Sequence, residues 1–283
     1  QCSCDMGALP NVIPAGAVNS AYAQEQARKV WHFELNPVPG FKLTYAPDKM
    51  DSGELKVLYV YGENPVMSDP WTEHFVHATH HLDCFIVQDL FFTESAQKAD
   101  VVLPAAGWGE KDGTFINTSR RVQRTRKASE PVGGVEPDWK VVCNIAKAMG
   151  LEGFDFLSAE EVWDELRKLM PKFFGGISYY RLEKLGGISW PCPDEDHPGT
   201  PDLYTDHKSM LPDGKFRLAP VLYADDKDKR ASMEAEFKAK MHIPDGYPVG
   251  SGAMSEVPDE VYPCLFTTGR KVYHYHTGTM TRE

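Results

Sequence analysis

Residues 55–104 read LKVLYVYGENPVMSDPWTEHFVHATHHLDCFIVQDLFFTESAQKADVVLP, and their hydrophobic period changes repeatedly along the stretch. Leu55 to Tyr61 is an apolar run rich in β-formers, long enough for one buried strand. It stops at Gly62-Glu63-Asn64-Pro65, a cluster that ends strands and opens turns. Ser68 has the character of a helix N-cap, with Asp69 near the positive end and Pro70 where a missing N–H costs nothing. That helix should run to about Leu82. Cys84 to Val87 predicts a second strand ending in Gln88-Asp89, Thr93 a cap for a short helix, and Val101 to Leu103 a third strand closed by Pro104. Strand and helix alternating at this spacing form a βαβ pattern, which predicts an α/β fold with a parallel sheet flanked by helices.

Ligands of open parallel sheets sit outside the carboxyl ends of the strands. Those ends here carry Gly62-Glu63-Asn64-Pro65 and Gln88-Asp89. A glycine lets backbone approach a ligand closely, and a helix N-terminus offers free N–H groups to phosphate. Asp89 has two readings at this position: an acceptor for a guanine edge or a ribose, or a cap for the next turn. Neither G-x-G-x-x-G nor G-x-x-x-x-G-K-[ST] occurs. A nucleotide-like ligand is expected, but not through either of those loops.

The chain has 283 residues, enough for one large domain or two smaller ones. A formal charge of −11 argues against nucleic acid or an acidic membrane surface as main partner. No run of 18 apolar residues exists, so no membrane insertion is expected, and the first residues lack the basic start and apolar core of a signal peptide. Of the six cysteines, Cys84 and Cys143 fall on expected core elements; the set suggests reduced thiols in a cytoplasmic setting. Cys2-x-Cys4 is too tight for the common zinc and iron–sulfur spacings.

Outward from the central stretch, Asn19 to Trp31 predicts an amphipathic helix, and residues 36–53 a Pro/Gly-rich connection. Thr114 to Arg126 alternates like a hairpin. Its second half carries Arg120, Arg121, Arg124, Arg126 and Lys127, the one dense basic patch in an acidic chain. Nucleic acid, a solvated strand or internal ion pairs, and anion or phosphate contact within a larger assembly are the three readings of that patch. Pro137 to Met149 is expected to be a helix ended by Gly150. Ser158-Ala159-Glu160-Glu161 is a capping box opening a helix to about Met170, with Pro171 as its stop. A shorter helix follows from Ser178 to Leu185, and residues 189–214 read as loop. Lys215 to Leu218 is expected as a strand after a Pro-Asp-Gly turn, Asp225 to Met241 as a solvated helix or linker, and Cys264 to Thr267 as a further strand.

His74, His77, His80 and His81 recur at helical spacing, and His77 and His81 could share a face and bind zinc. No H-E-x-x-H pattern is completed, which favours a plain helix surface. His274-x-His276 follows Thr268-Gly269-Arg270 at a strand end, a better place for a ligand contact.

Several stretches together resemble the molybdopterin oxidoreductase family, most closely its formate dehydrogenase catalytic subunits. They are Cys4 to Pro10, Gly62 to Pro65, Val87 to Asp89 with Phe92 to Glu94, Ala99 to Pro104, Trp108 to Phe115, Asn117 to Gln123, and Thr268 to Arg282. The resemblance implies a Rossmann-like dinucleotide-binding domain over residues 1–110, with a ribbon at 111–136 packing toward the parent's iron–sulfur region and a helix at 137–150 completing it. It further implies an irregular α+β extension at 151–215, a linker at 216–261, and the start of a C-terminal dinucleotide-binding domain at 262–283. The family binds molybdenum or tungsten through two molybdopterin guanine dinucleotides, and its formate branch oxidises formate to carbon dioxide.

By the same resemblance, Asn64, Gln88 and Asp89 would contact a dinucleotide at the strand ends. Lys111 and Asp138 match two further contacting positions, Asp138 as the carboxylate that reads guanine. Thr268, Gly269, Arg270, His274, His276 and Thr277 match a strip that lines a pterin. The family's metal ligand, its formate-orienting arginine and its iron–sulfur cysteines lie upstream of the motif at Cys4. The chain is therefore identified as an internal fragment, without metal-ligating or catalytic residues of its own and inactive alone. Its expected partners are the rest of the same polypeptide, electron-transfer subunits and formate. The alternatives are a nitrate reductase-like or respiratory-complex member of the family, or a non-catalytic scaffold module.

Overall fold

The computed structural model describes residues 2–211 continuously, then 213–216, 218 and scattered positions up to 264. Two compact units emerge, residues 1–201 with 277–283, and residues 202–276. In the first unit, α1 (Ala21–Val30) starts at Ser20, whose hydroxyl accepts the N–H of Ala23 at 3.2 Å. Then comes α2 (Ala46–Asp51), inside the segment expected to be a bare connection. Pro47 occupies its first turn, and Ala46, Pro47 and Met50 are buried. Six residues cannot hold a helix alone; packing on Val66, Phe75 and Ala78 supplies what propensity does not.

Strand β1 (Val57–Tyr61) leads into two short helices, α3 (Pro65–Ser68) and α4 (Thr72–Ala78), where the spacing predicts one helix from Ser68. The break has a local cause. Pro70 clashes with a helical residue before it, and Asp69 is extended at φ −68°, ψ 134°. The helix therefore starts again after the proline. Strand β2 (Cys84–Asp89) follows, and Thr93 accepts the N–H of Ala96 at the head of a single 3-10 turn, as its cap role requires. Strand β3 (Val101–Pro104) completes a parallel sheet in the order β1-β2-β3. Tyr61 lies opposite Gln88, and Asp89 opposite Pro104, so all three carboxyl ends share one rim. Val60, Phe85, Val87 and Ala96 form the sheet's core. The fold is α/β, a parallel three-stranded sheet flanked by helices.

The expected hairpin is β4 (Gly113–Ile116) with β5 (Arg121–Thr125), antiparallel. Helix α5 (Asp138–Ala148) begins at Pro137 and ends before Gly150, which takes φ +76°. Helix α6 (Ala159–Leu169) is capped by the Ser158 hydroxyl on the N–H of Glu161, while the Glu161 carboxylate reaches back to the N–H of Leu157. Pro171 ends α6 but also opens α7 (Pro171–Phe174), since proline fits a first turn as well as it stops a last one. Helix α8 (Tyr179–Leu185) and β6 (Ile188–Ser189) follow, and β6 joins the hairpin through β5. Ile116, Val122, Trp163, Phe174, Ile177, Leu182 and Ile188 pack as a second core under that sheet.

In the second unit, Lys215, Phe216 and Leu218 are not in a strand, contrary to the expectation. The Ser209 hydroxyl donates to the Lys215 carbonyl at 2.8 Å and Tyr204 stacks edge-on to Phe216, so the segment closes a turn on itself instead of joining a sheet. Between Asp225 and Met241 the described positions are helical. The strand expected at Cys264–Thr267 and the strip Thr268, Gly269, Arg270, His274, His276 and Thr277 lie outside the described residues. Cys4, Cys84, Cys143, Cys192 and Cys264 are free thiols. No described helix is long and apolar enough to cross a membrane.

Candidate functional site

Gln88 is the next-to-last residue of the central strand and fully buried. A buried amide must find partners on both ends. Its oxygen accepts the hydroxyl of Tyr59 on β1, and its nitrogen donates to Asp138 Oδ1 at 2.9 Å. Asp138 stands in the first turn of α5, where the helix dipole favours negative charge. Its other oxygen, Oδ2, pairs with the Lys111 ammonium. The side chains of Asp138 and Lys111 are 9% and 20% exposed, so the pair is screened from water. Tyr61, on the same face of β1 as Tyr59, is close enough to Asp138 to feel its charge. Burial, then the Asp138 charge, pushes the phenols of Tyr59 and Tyr61 above the ordinary tyrosine value. Both phenols therefore stay protonated, and Tyr59 acts as the donor to Gln88. Half of Tyr61 is open to solvent.

The network thus brings together Gln88, Lys111 and Asp138, from the end of β2, the loop before β4 and the start of α5. Asn64 and Asp89 stand on the same rim but are otherwise engaged. Gly62 at φ +61° turns the chain so that its N–H meets the Gln88 carbonyl at 2.9 Å. Two residues on, Asn64 accepts from the Ser95 hydroxyl at 2.7 Å and donates to Glu94 at 2.7 Å, tying the exit of β1 to the loop after β2. Asp89 accepts the N–H groups of Leu90 and Phe91 at 2.6 and 3.2 Å, the geometry of a turn cap. A cleft of about 570 Å³ lies beside this region, lined by Lys111, Asp112, Arg124, Trp139, Glu160 and Tyr179 among others. Of the described candidate residues, Lys111 alone faces it.

Tyr59 and Tyr61 are the participants that the sequence left unmarked. Their i, i+2 spacing puts both on one face of β1, and that spacing beside Gly62 was the available signal. Most of the basic ribbon is engaged within the protein, although Arg124 Nε is buried without a hydrogen-bond partner. Arg124 and Arg126 both pair with Glu183 on α8, and Arg124 lies 4.5 Å from the Tyr179 ring centre. Arg120, at φ +61°, donates to the carbonyls of Trp190, Thr200 and Pro201. These contacts support the ion-pair reading of the patch.

A family model described as molybdopterin oxidoreductase matches residues 6–148, half of the chain. The F420-dependent formate dehydrogenase subunit alpha of Methanocaldococcus jannaschii is 42% identical over 287 residues, covering all of this chain and 37% of that protein. The assimilatory nitrate reductase catalytic subunit of Bacillus subtilis is 36% identical, over 90% of this chain and 33% of the relative. Formate dehydrogenase H of Escherichia coli is 33% identical, over 99% of this chain and 36% of its own length. The chain spans about a third of the length of these curated relatives.

Proposed function

The chain belongs to the molybdopterin oxidoreductase family, and we propose that it works as part of a formate dehydrogenase alpha subunit, holding the guanine-nucleotide tail of a molybdenum or tungsten cofactor. What carries this reading is the buried carboxylate of Asp138, held by Gln88 and Lys111 where the parallel strands end. The residue types are those a guanine dinucleotide needs, with both Asp138 oxygens held by Gln88 and Lys111 when no nucleotide is bound. A guanine edge offers adjacent N–H donors to a carboxylate, and a lysine beside it supplies charge for phosphate. Asp138 would read the base, Lys111 would meet a phosphate, and Gln88 would hold Asp138 in register. Asn64 and Asp89 would shape the rim, and Thr268, Gly269, Arg270, His274, His276 and Thr277 would line the pterin of the second dinucleotide.

The bound cofactor supplies the redox chemistry: formate loses two electrons and one proton and leaves as carbon dioxide. These residues contribute position, not chemistry, so the stretch is expected to be inactive without the rest of the polypeptide. An iron–sulfur cluster and electron-transfer subunits would carry the electrons away, with residues 111–136 packing toward the cluster; the setting would be the cytoplasm. Residues 1–110 with the helix at 137–150 would form the Rossmann-like domain, 151–215 its extension, 216–261 a linker, and 262–283 the start of the C-terminal domain.

GDP binding by calorimetry tests the nucleotide site. Saturable binding that is lost in Asp138→Asn and weakened in Lys111→Met supports it; GDP affinity unchanged in Asp138→Asn overturns it. The 36% identity to an assimilatory nitrate reductase supports a second reading, another oxidoreductase of the same family. Dye-coupled turnover of the purified natural enzyme separates the two, formate oxidation in one case and nitrate reduction in the other.

A further inference from the structure

Where α2 meets α4 and the 3-10 turn that follows it, one carboxylate and three imidazoles converge. Asp51 ends α2, His74 and His77 lie on α4, and His81 lies on the 3-10 turn that continues it. Asp51, His77 and His81 each offer a ligand atom, and the three atoms lie within 4.8 Å of one another. His81 Nδ1 is 3.0 Å from Asp51 Oδ1, and His74 Nε2 is 2.7 Å from Asp51 Oδ2. The rings of His77 and His81 meet edge-on with centres 5.5 Å apart. Two imidazoles on one tetrahedral zinc, with Zn–N bonds of about 2.0–2.1 Å, place their ring centres about 5 Å apart. The imidazoles are already close to that arrangement.

We propose that Asp51, His77 and His81 form a zinc site, with His74 as the group that orients the carboxylate. Three observations support it. The first is the donor set: two imidazoles and one carboxylate suit zinc and not magnesium or calcium, which take oxygen ligands. The second is the division of labour on Asp51. His74 engages Oδ2, which leaves Oδ1 toward His81, the arrangement by which an outer hydrogen bond fixes a metal-binding carboxylate. The third is rigidity. Asp51 follows Met50, His74 precedes Phe75, and His77 precedes Ala78, and these three neighbours are fully buried in one core cluster. The ligands are therefore held by packed backbone, not by loops.

All three ligands are exposed, so the fourth position is left to water. To admit zinc, Oδ1 and Nδ1 open from 3.0 Å to about 3.4 Å, the edge of a tetrahedron with bonds of about 2.1 Å, and the pairs involving His77, all within 4.8 Å, adjust to the same spacing. The site lies apart from the Gln88–Lys111–Asp138 network and does not depend on the nucleotide reading.

The test is zinc competition against a chromogenic chelator, with Co²⁺ as spectroscopic probe. His77→Ala/His81→Ala removes two exposed side chains and leaves the core intact. It should lose one bound zinc and the visible bands of four-coordinate Co²⁺. His74→Ala should weaken zinc about 10–100-fold, while His80→Ala, on the same turn, should leave it unchanged. Zinc stoichiometry and the Co²⁺ spectrum unchanged in the double variant would overturn the proposal.

Discussion

Replacing Asp138 by alanine is the most informative perturbation of the central network. It removes the acceptor shared by the Gln88 amide and the Lys111 ammonium. Gln88 is wholly buried and cannot turn to water, so its N–H is left unsatisfied, a loss of about 1–3 kcal/mol. Removing one partner of a buried ion pair costs about 3–5 kcal/mol in general. The Lys111 side chain retains 20% exposure and can swing partly into solvent, which pulls that figure to its lower end. The two costs overlap, and their combined effect should be on the order of 3 kcal/mol. At about 2–4 °C per kcal/mol for a domain of this size, Tm should fall by roughly 6–12 °C. Urea unfolding followed by tryptophan fluorescence gives the free energy directly. The double variant Asp138→Leu/Lys111→Met removes both charges and should recover the part of the loss due to the unpaired cation, while the unsatisfied Gln88 N–H remains. A single-variant cost below about 1 kcal/mol, or a double variant no better than the single, would refute the buried-pair account.

Other expectations follow from the packing. Met50→Ala should cost about 2–5 kcal/mol, since Met50 is fully buried and pins α2 to α4; hydrogen exchange should show α2 opening first. A Cβ on Gly176 would sit 1.8 Å from the Asp194 carbonyl oxygen, so Gly176→Ala should cost about 3 kcal/mol or more, whereas Gly109→Ala meets nothing within 4 Å and should be neutral or slightly stabilising; paired thermal melts decide both. Burial pushes Tyr179 up to about 12 against the opposing pull of Arg124. A raised folded-state value means that its contribution to stability is intact below about pH 10 and is lost as pH rises through about 12, which tyrosinate absorbance, native minus Tyr179→Phe, will report. The same variant removes a buried hydroxyl that has no hydrogen-bond partner, so at neutral pH it should leave stability unchanged or raise it by about 1 kcal/mol.

The βαβ pattern was legible because its signals are local: a run of β-formers, a Gly-Glu-Asn-Pro turn, a threonine cap. Helix α2 was not, because Ala46 and Met50 acquire meaning only against Phe75 and Ala78, some thirty residues on. Pro70 was visible, but its effect on Asp69 was outweighed by the appeal of Ser68 as a cap. The Pro-Asp-Gly turn at 212–214 pointed to a strand for Lys215–Leu218, yet a strand needs a neighbour and none is present there among the described residues. At the site, Gln88 and Asp138 were each singled out through the resemblance, but the hydrogen bond joining them spans 50 residues and has no sequence signature. Asp51 was hidden in the same way: nothing in residues 36–53 indicates that their one helix ends beside His81.

The parallel sheet has a practical consequence. With three strands, both outer margins offer unsatisfied N–H and C=O groups among the described residues, and Val101 and Val102, successive in β3, are both exposed, so each face of that margin is open as well. Such a margin is a template for any extended segment that reaches it. A preparation of this chain alone should therefore self-associate through strand docking as its concentration rises, and a lysine or proline placed at Val102 should do more for its solubility than any change to its −11 net charge.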